Sequence, residues 1–240
     1  MVNFVQMKIC IGVKFEHQYN TMIYTHIPYA PKESDKNIGF AYNKFMEMLP
    51  NEGDWGCFLD HDAMFTTKSW YKQLNYIIKL HPRVKAFGAR TNRVAYPWQL
   101  VGNMDIDNND IEYHRKIGRH LQEKYYARLS VGSLRDHSGK YNPSRFSGVF
   151  ILIQKKSWKD MGGFKSTGFL GVDDDFRRRL YDSNIPFAIL DGMYVYHWYR
   201  HDSPYTTSKK TLDKVRKKYE DFTKKRKFDI KHITLLDETF

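Results

Sequence analysis

Cysteine is scarce in this chain, with only Cys10 and Cys57 in 240 residues. Both lie in apolar, strand-like runs, so they read as small buried hydrophobes in a reducing compartment, with no disulfide framework. Long apolar runs are missing as well. The longest strongly apolar stretch, Val149–Ile153, is far too short to span a bilayer. Charges interrupt every apolar stretch near the N-terminus, so no secretory signal is expected there. The chain therefore reads as soluble and cytoplasmic, with room for peripheral contact with a membrane. Repeats, low-complexity tracts and an interdomain linker are absent. So are zinc-ligand spacing and the aromatic signature of RNA-binding domains.

What is present fits a globular protein. The hydrophobic fraction is 41% and the aromatic fraction 16%. A chain of this length is one larger domain and buries about 70–75% of its unfolded surface, so its core needs no staples. The net charge of +12 draws such a protein towards polyanions, whether nucleic acid, acidic lipid or phosphate-bearing substrates. Much of the excess sits in Ser208–Lys227. Residues 206–240 are accordingly expected to form a basic helix and tail packed on a catalytic domain of residues 1–205. Leu212, Val215, Tyr219 and Phe222 make its docking stripe. The basic face is either simply solvated or rests on anionic lipid.

Strand-like and helix-like segments alternate. Strands are expected at Met7–Val13, Thr21–Ile27, 55–60, Val84–Ala89, Ser147–Ile153, Phe187–Leu190 and Met193–His197. Helices are expected at 37–49, at a segment capped by Thr66 or Thr67 and carrying Trp70, Leu74, Ile77 and Ile78, and at about 111–128, Lys155–Met161 and 173–182. This alternation predicts an α/β fold with a mainly parallel central sheet and helices on both faces.

Three clusters carry chemistry. The run Trp55–Leu59 ends in Asp60-His61-Asp62. Residues i and i+2 of an extended chain point the same way, so both carboxylates converge just past a strand's carboxyl end, where α/β sheets bind ligands. Paired carboxylates suit a hard divalent cation with substrate phosphates; an ordinary solvated turn is the plain alternative. The second cluster, Asp173-Asp174-Asp175, opens a helix. Capping explains one or two such acids. A third, after a loop holding Gly162, Gly163, Gly168 and Gly171, hints at a movable site element that closes over a ligand. The third is His197, at the end of an aromatic strand, either packed or a ligand to the same cation. A mixed oxygen and nitrogen shell favours Mn2+ over Mg2+.

In this order the pieces resemble inverting glycosyltransferases of the family 2 and β-1,4-galactosyltransferase kind, which have the GT-A fold. The segments that carry the resemblance are Asn37-Ile-Gly-Phe-Ala-Tyr-Asn43, Asp60-His-Asp62, Phe146-Ser-Gly-Val149 with Gly162-Gly-Phe164, Val172-Asp-Asp-Asp175 with Arg179, and His197. The resemblance implies a metal-assisted hexosyltransferase that uses a nucleotide-sugar donor, a UDP-sugar by preference. Asp62 and His197 would bind Mn2+ or Mg2+, and Asp60 the cation or the ribose. Tyr29, Asn37, Asn43 and Arg90 would join Asp60 at the nucleotide sugar. Asp173 would be the general base, Asp174 and Asp175 would orient the acceptor or hold the helix start, and Trp98 and Phe169 would meet the acceptor, with Tyr96 a further sugar platform. The acceptor would be a glycan, a lipid-linked group or a protein, and not a nucleic acid. Val172 stands where the galactosyltransferases carry a glutamate, which removes one acceptor contact. The distance from the chain start to Asp60 is also short for the family. Two other classes stay open: a metal-dependent nucleotidyltransferase or phosphohydrolase, and a basic nucleic-acid-binding module.

Overall fold

The computed structural model describes residues 21–27, 37–94, 99–102, 104–105, 108–130, 147–165 and 171–198, together with the backbone of 234–235. In chain order these give β1 (Ile23–His26), α1 (Ile38–Met48), β2 (Trp55–Leu59), β3 (Ala63–Phe65), α2 (Trp70–Leu80), β4 (Ala86–Thr91), β5 (Val101–Gly102), α3 (Ile111–Tyr125), β6 (Leu129–Ser130), β7 (Phe150–Gln154), α4 (Lys155–Asp160), α5 (Val172–Asp182), β8 (Phe187–His197) and β9 (Thr234–Leu235). The expected strand at Met7–Val13 and the basic helix at about 206–226 lie outside the described residues. At the far end of the tail, β9 pairs in parallel with β5.

The fold is α/β, but the expectation of a mainly parallel sheet is corrected. Strand order is β1-β2-β7-β4-β8-β3, with β6 also on β8. Only β1–β2 and β4–β8 run parallel; β2–β7, β7–β4, β8–β3 and β8–β6 run antiparallel. Alternation of strands and helices predicts parallel pairing only when each helix returns the chain to the same edge. Here the long segment between β4 and β7 brings β7 in from the opposite end.

Burial follows the two faces of this sheet. Cys57, Leu59, Phe87, Phe150, Leu152 and Leu190 point into one core, which α2 closes with Leu74 and Ile77. Their neighbours Phe58, Ala86, Ile151, Ile153 and Ile189 point into the other, closed by α1, α4 and α5. Helices thus cover both faces, as expected. The inner strands β2 and β7 are apolar on both sides because both sides are buried. Asn37 caps α1, accepting the Phe40 amide at 3.0 Å. The residue preceding α2 is Ser69, not Thr66 or Thr67. Thr66 is buried and donates to the Tyr194 carbonyl instead.

Residues 187–197 form one strand where a break at Asp191-Gly192 suggests two. Ala86–Ala89 lie opposite Phe187–Leu190, then Arg90 lies opposite Tyr194, so Asp191, Gly192 and Met193 bulge out of the ladder. Tertiary contacts sustain the strand through this turn-like pair. Asp191 accepts from Arg90, Arg128 and Ser130. At Gly192 an added Cβ would sit 2.4 Å from the Tyr125 carbonyl, so only glycine passes under the end of α3.

Candidate functional site

The end of β2 builds one side of the site. The backbone leaves the sheet after Leu59, and the Asp60 carbonyl accepts the Ala63 amide at 3.1 Å, closing a turn over Asp60-His61-Asp62. Convergence of the two aspartates comes from this turn and not from an extended chain. β3 then pairs antiparallel with β8 in the register Ala63↔His197, and the Trp198 amide donates to the Asp62 carbonyl at 2.8 Å. That register sets His197 against the aspartates across 135 residues of sequence. Its Nε2 lies 3.2 Å from Asp62 Oδ1 and 3.7 Å from Asp60 Oδ2. The three donor atoms all lie within 4.8 Å of one another.

The chemistry of this set fits a divalent cation. His197 Nδ1 lies 2.9 Å from the Arg93 carbonyl, which can only accept, so Nδ1 carries the proton. In the neutral ring Nε2 then presents a lone pair to two carboxylates. That contact is favourable only with a proton or a metal ion between the groups. A ring nitrogen fixed by a backbone carbonyl on its far side is the usual arrangement for a metal-binding histidine. Two oxygens and one nitrogen leave coordination positions for water or phosphate oxygens.

Asp173 stands beside this cluster on a different element. The Asp60 amide donates to the Val149 carbonyl at 3.1 Å, and the preceding Gly148 amide donates to Asp173 Oδ2 at 3.2 Å. One short turn before β7 therefore holds both acids. The Asp174 amide secures Asp173 Oδ1 at 3.0 Å. Burial, above all, pushes the Asp60 carboxyl up to about 6; the charges of Asp62 and Asp173 add to this, while His197 and His61 oppose it. Burial also raises Asp173, against the pull of the Gly148 and Asp174 amides. Burial alone would raise Asp62 as well, but the hydrogen bond and charge of His197, with His61, hold it below the usual range. Tyr42 packs on Phe58 and Phe164 beneath these acids. Its phenol is pushed up by burial and then by Asp60 and Asp173.

Several expected site residues have other work. Asn37 caps α1. Asn43 accepts from the Phe164 amide and the Trp158 indole and donates to the Phe164 carbonyl, so its side chain is a clamp between α1 and the glycine loop. Arg90 is fully buried and donates to Asp191 and Ser130. Asp175 is paired with both Arg178 and Arg179, which fits the helix-holding role among its two expected ones. Asp174 opens α5 next to Asp173. The expected lid is fixed at its start: Asn43 grips Phe164, and Phe164 stacks on Phe176 with ring centres 5.0 Å apart. Residues 166–170 of that loop, with Phe169, lie outside the described residues, as do Tyr29, Tyr96 and Trp98.

Sequence reasoning missed the residues behind His197. Asn92 and Arg93 follow β4 directly and are almost fully buried. The signal was available: a polar Thr91-Asn92-Arg93 step at the carboxyl end of an apolar strand is placed where α/β sheets build their sites. No protein-family model matches this chain, and no curated protein is similar to it. Among the described residues no helix is long and apolar enough to cross a membrane.

Proposed function

We propose that this protein is an inverting glycosyltransferase of the GT-A kind. It moves a sugar from a nucleotide-diphosphate sugar, a UDP-sugar by preference, to an acceptor hydroxyl. The observation that carries this reading is the placement of Asp173. A carboxylate of raised pKa stands beside a cation-binding trio but belongs to another element, held through the turn that also holds Asp60. Phosphate chemistry needs the trio; a separate buried base serves a second substrate.

Asp60, Asp62 and His197 would hold Mn2+ or Mg2+, which when bound would supply Lewis-acid stabilisation for the charge on the departing diphosphate. Asp173 accepts the proton of the acceptor hydroxyl as that oxygen bonds to the anomeric carbon. The carbon–oxygen bond to the diphosphate breaks, and the nucleoside diphosphate leaves with the electron pair. Burial makes Asp173 the stronger base for this step. The Gly148 and Asp174 amides fix its carboxylate while leaving lone pairs for the hydroxyl. The acceptor is a glycan, a lipid-linked group or a protein, reached from a cytoplasmic location. The negative potential of three neighbouring acids disfavours nucleic acid crossing this face.

A thermal-shift screen of nucleotide sugars with and without Mn2+ tests the reading, because a ligand of the native state raises apparent stability. Stabilisation by one nucleotide sugar only in the presence of Mn2+, followed by release of the nucleoside diphosphate when acceptor is added, is the expected result. Release of pyrophosphate or inorganic phosphate instead would replace the transferase with a nucleotidyltransferase or phosphohydrolase.

A further inference from the structure

β4 ends at Thr91, opposite Val195, two residues before β8 ends at His197. The β4–β8 ladder thus stops short of the last residue of β8. Its other edge is used by β3, where the Trp198 amide reaches the Asp62 carbonyl. The His197 amide and carbonyl point to the β4 side and are buried there. The side chain of Asn92 meets both. Asn92 Oδ1 accepts the His197 amide at 2.8 Å, and Asn92 Nδ2 donates to the His197 carbonyl at 3.0 Å. A carboxamide carries one acceptor and one donor in the spacing of a peptide unit, so it substitutes for the missing strand. The next residue, Arg93, takes the ring proton on Nδ1 at 2.9 Å. Two consecutive residues therefore grip His197 at three atoms. Nε2 is left facing Asp60 and Asp62.

We infer that Asn92 is a positioning residue for the cation site: it sets the affinity for the divalent ion by fixing the end of β8 without touching the ion. Asn92 is 1% exposed and His197 4%, so neither the amide nor the carbonyl of His197 finds water if the carboxamide is removed. The strand end must then move to satisfy them. Such a shift carries Nε2 with it, and small displacements of a ligating nitrogen are costly. Thr91 and Arg93 cannot replace this grip, since one lies in the ladder and the other is spent on the ring. The inference rests on the cation site of the reading above and not on the transfer chemistry.

The test compares Mn2+ binding by the full chain and by Asn92→Leu, which keeps side-chain size but neither hydrogen bond. Electron paramagnetic resonance counts free Mn2+, and nitrogen modulation of the spin echo reports an imidazole on the bound ion. His197→Ala sets the zero of that modulation. The expected result is a cooperatively melting Asn92→Leu protein with affinity lowered about 10–100-fold and weakened nitrogen modulation. Wild-type affinity with unaltered modulation in that variant overturns the inference. If the wild-type protein itself shows no nitrogen modulation, the cation site fails, and the inference with it. If Asn92→Leu does not fold, the wild-type protein answers by reciprocity. Saturation with diamagnetic Zn2+ must then slow hydrogen exchange of the Asn92 side-chain amide and the His197 backbone amide. Unchanged exchange overturns the inference.

Discussion

Strand β8 meets buried or partly buried carboxylates at two places, a single one at its bulge and three near its carboxyl end, and the two are built in opposite ways. At the bulge, Asp191 is fully enclosed, and Arg90, Arg128 and Ser130 meet its carboxylate. At the carboxyl end, Asp60, Asp62 and Asp173 gather around His197, and among the described residues no arginine or lysine forms an ion pair with these three acids. The first cluster brings its own cations and holds the ladder together. Among the described residues only His197 and His61 oppose the charge of the second, and burial makes that charge expensive unless something positive meets it. A buried acid does not by itself mark a site; what it is paired with decides. Asp175 obeys the same rule at smaller scale, since two arginines make it structural.

The comparison breaks if the compensated cluster proves dispensable. Asp191→Ala removes the ion-pair partner of the fully buried Arg90 and should cost about 3–5 kcal/mol of stability, read from the urea midpoint. A loss under about 1 kcal/mol would mean that the bulge is held by packing alone.

Within the second cluster, Asp173→Asn keeps size and the Gly148 contact but removes proton affinity. Transfer should fall by roughly 10²–10⁴-fold while Mn2+-dependent donor binding persists. Normal turnover in Asp173→Asn with loss in Asp174→Asn would move the base by one residue.

Asp62→Ala should weaken Mn2+ binding by more than the roughly 10–100-fold typical of outer contacts, because it deletes a ligand. The protein should remain folded, since Asp62 is partly exposed and belongs to neither apolar core. Titration calorimetry checks this, and undiminished affinity would remove Asp62 from the site.

The smallest effect sharpens the comparison most. In the native state Asp60 titrates at about 6, above the ordinary value of 3.8. Between those values the native state binds more protons than the unfolded one, so stability falls as pH rises through this window. Asp60→Asn should therefore equal wild type below about pH 4 and exceed it above pH 6 in chelator. The gain should be on the order of 1 kcal/mol, reduced from the full linkage value because a third of the side chain meets solvent. Thermal melts across pH decide the point; a variant less stable than wild type at pH 7 would show that Asp60 is compensated after all.

The sequence carried much of the architecture because burial writes itself into residue type. Unbroken apolar runs marked β2 and β7, and stripes at helical spacing marked α1, α2 and α5. Asp60, Asp62, Asp173 and His197 stood out by being polar at element ends. Strand sense did not follow from the same pattern, since β7 is equally apolar whichever way it runs. The roles of Arg90 and Asn43 were not readable either. An arginine after a strand looks the same in one dimension whether it meets phosphate or Asp191, and an asparagine on a helix does not announce that it will clamp Phe164.

By itself, then, the sequence determined the apolar strands β2, β4 and β7, the helices α1 to α5 and the acids that stand at element ends, because each depends on neighbours within a few positions. Tertiary structure alone decided that β3 pairs with the end of β8 and that Asn92 stands in for a strand. It also decided which acids receive arginines. The Asn92–His197 and Arg90–Asp191 contacts join residues more than 100 positions apart, brought together by the register of the sheet, which no pattern within a few positions encodes.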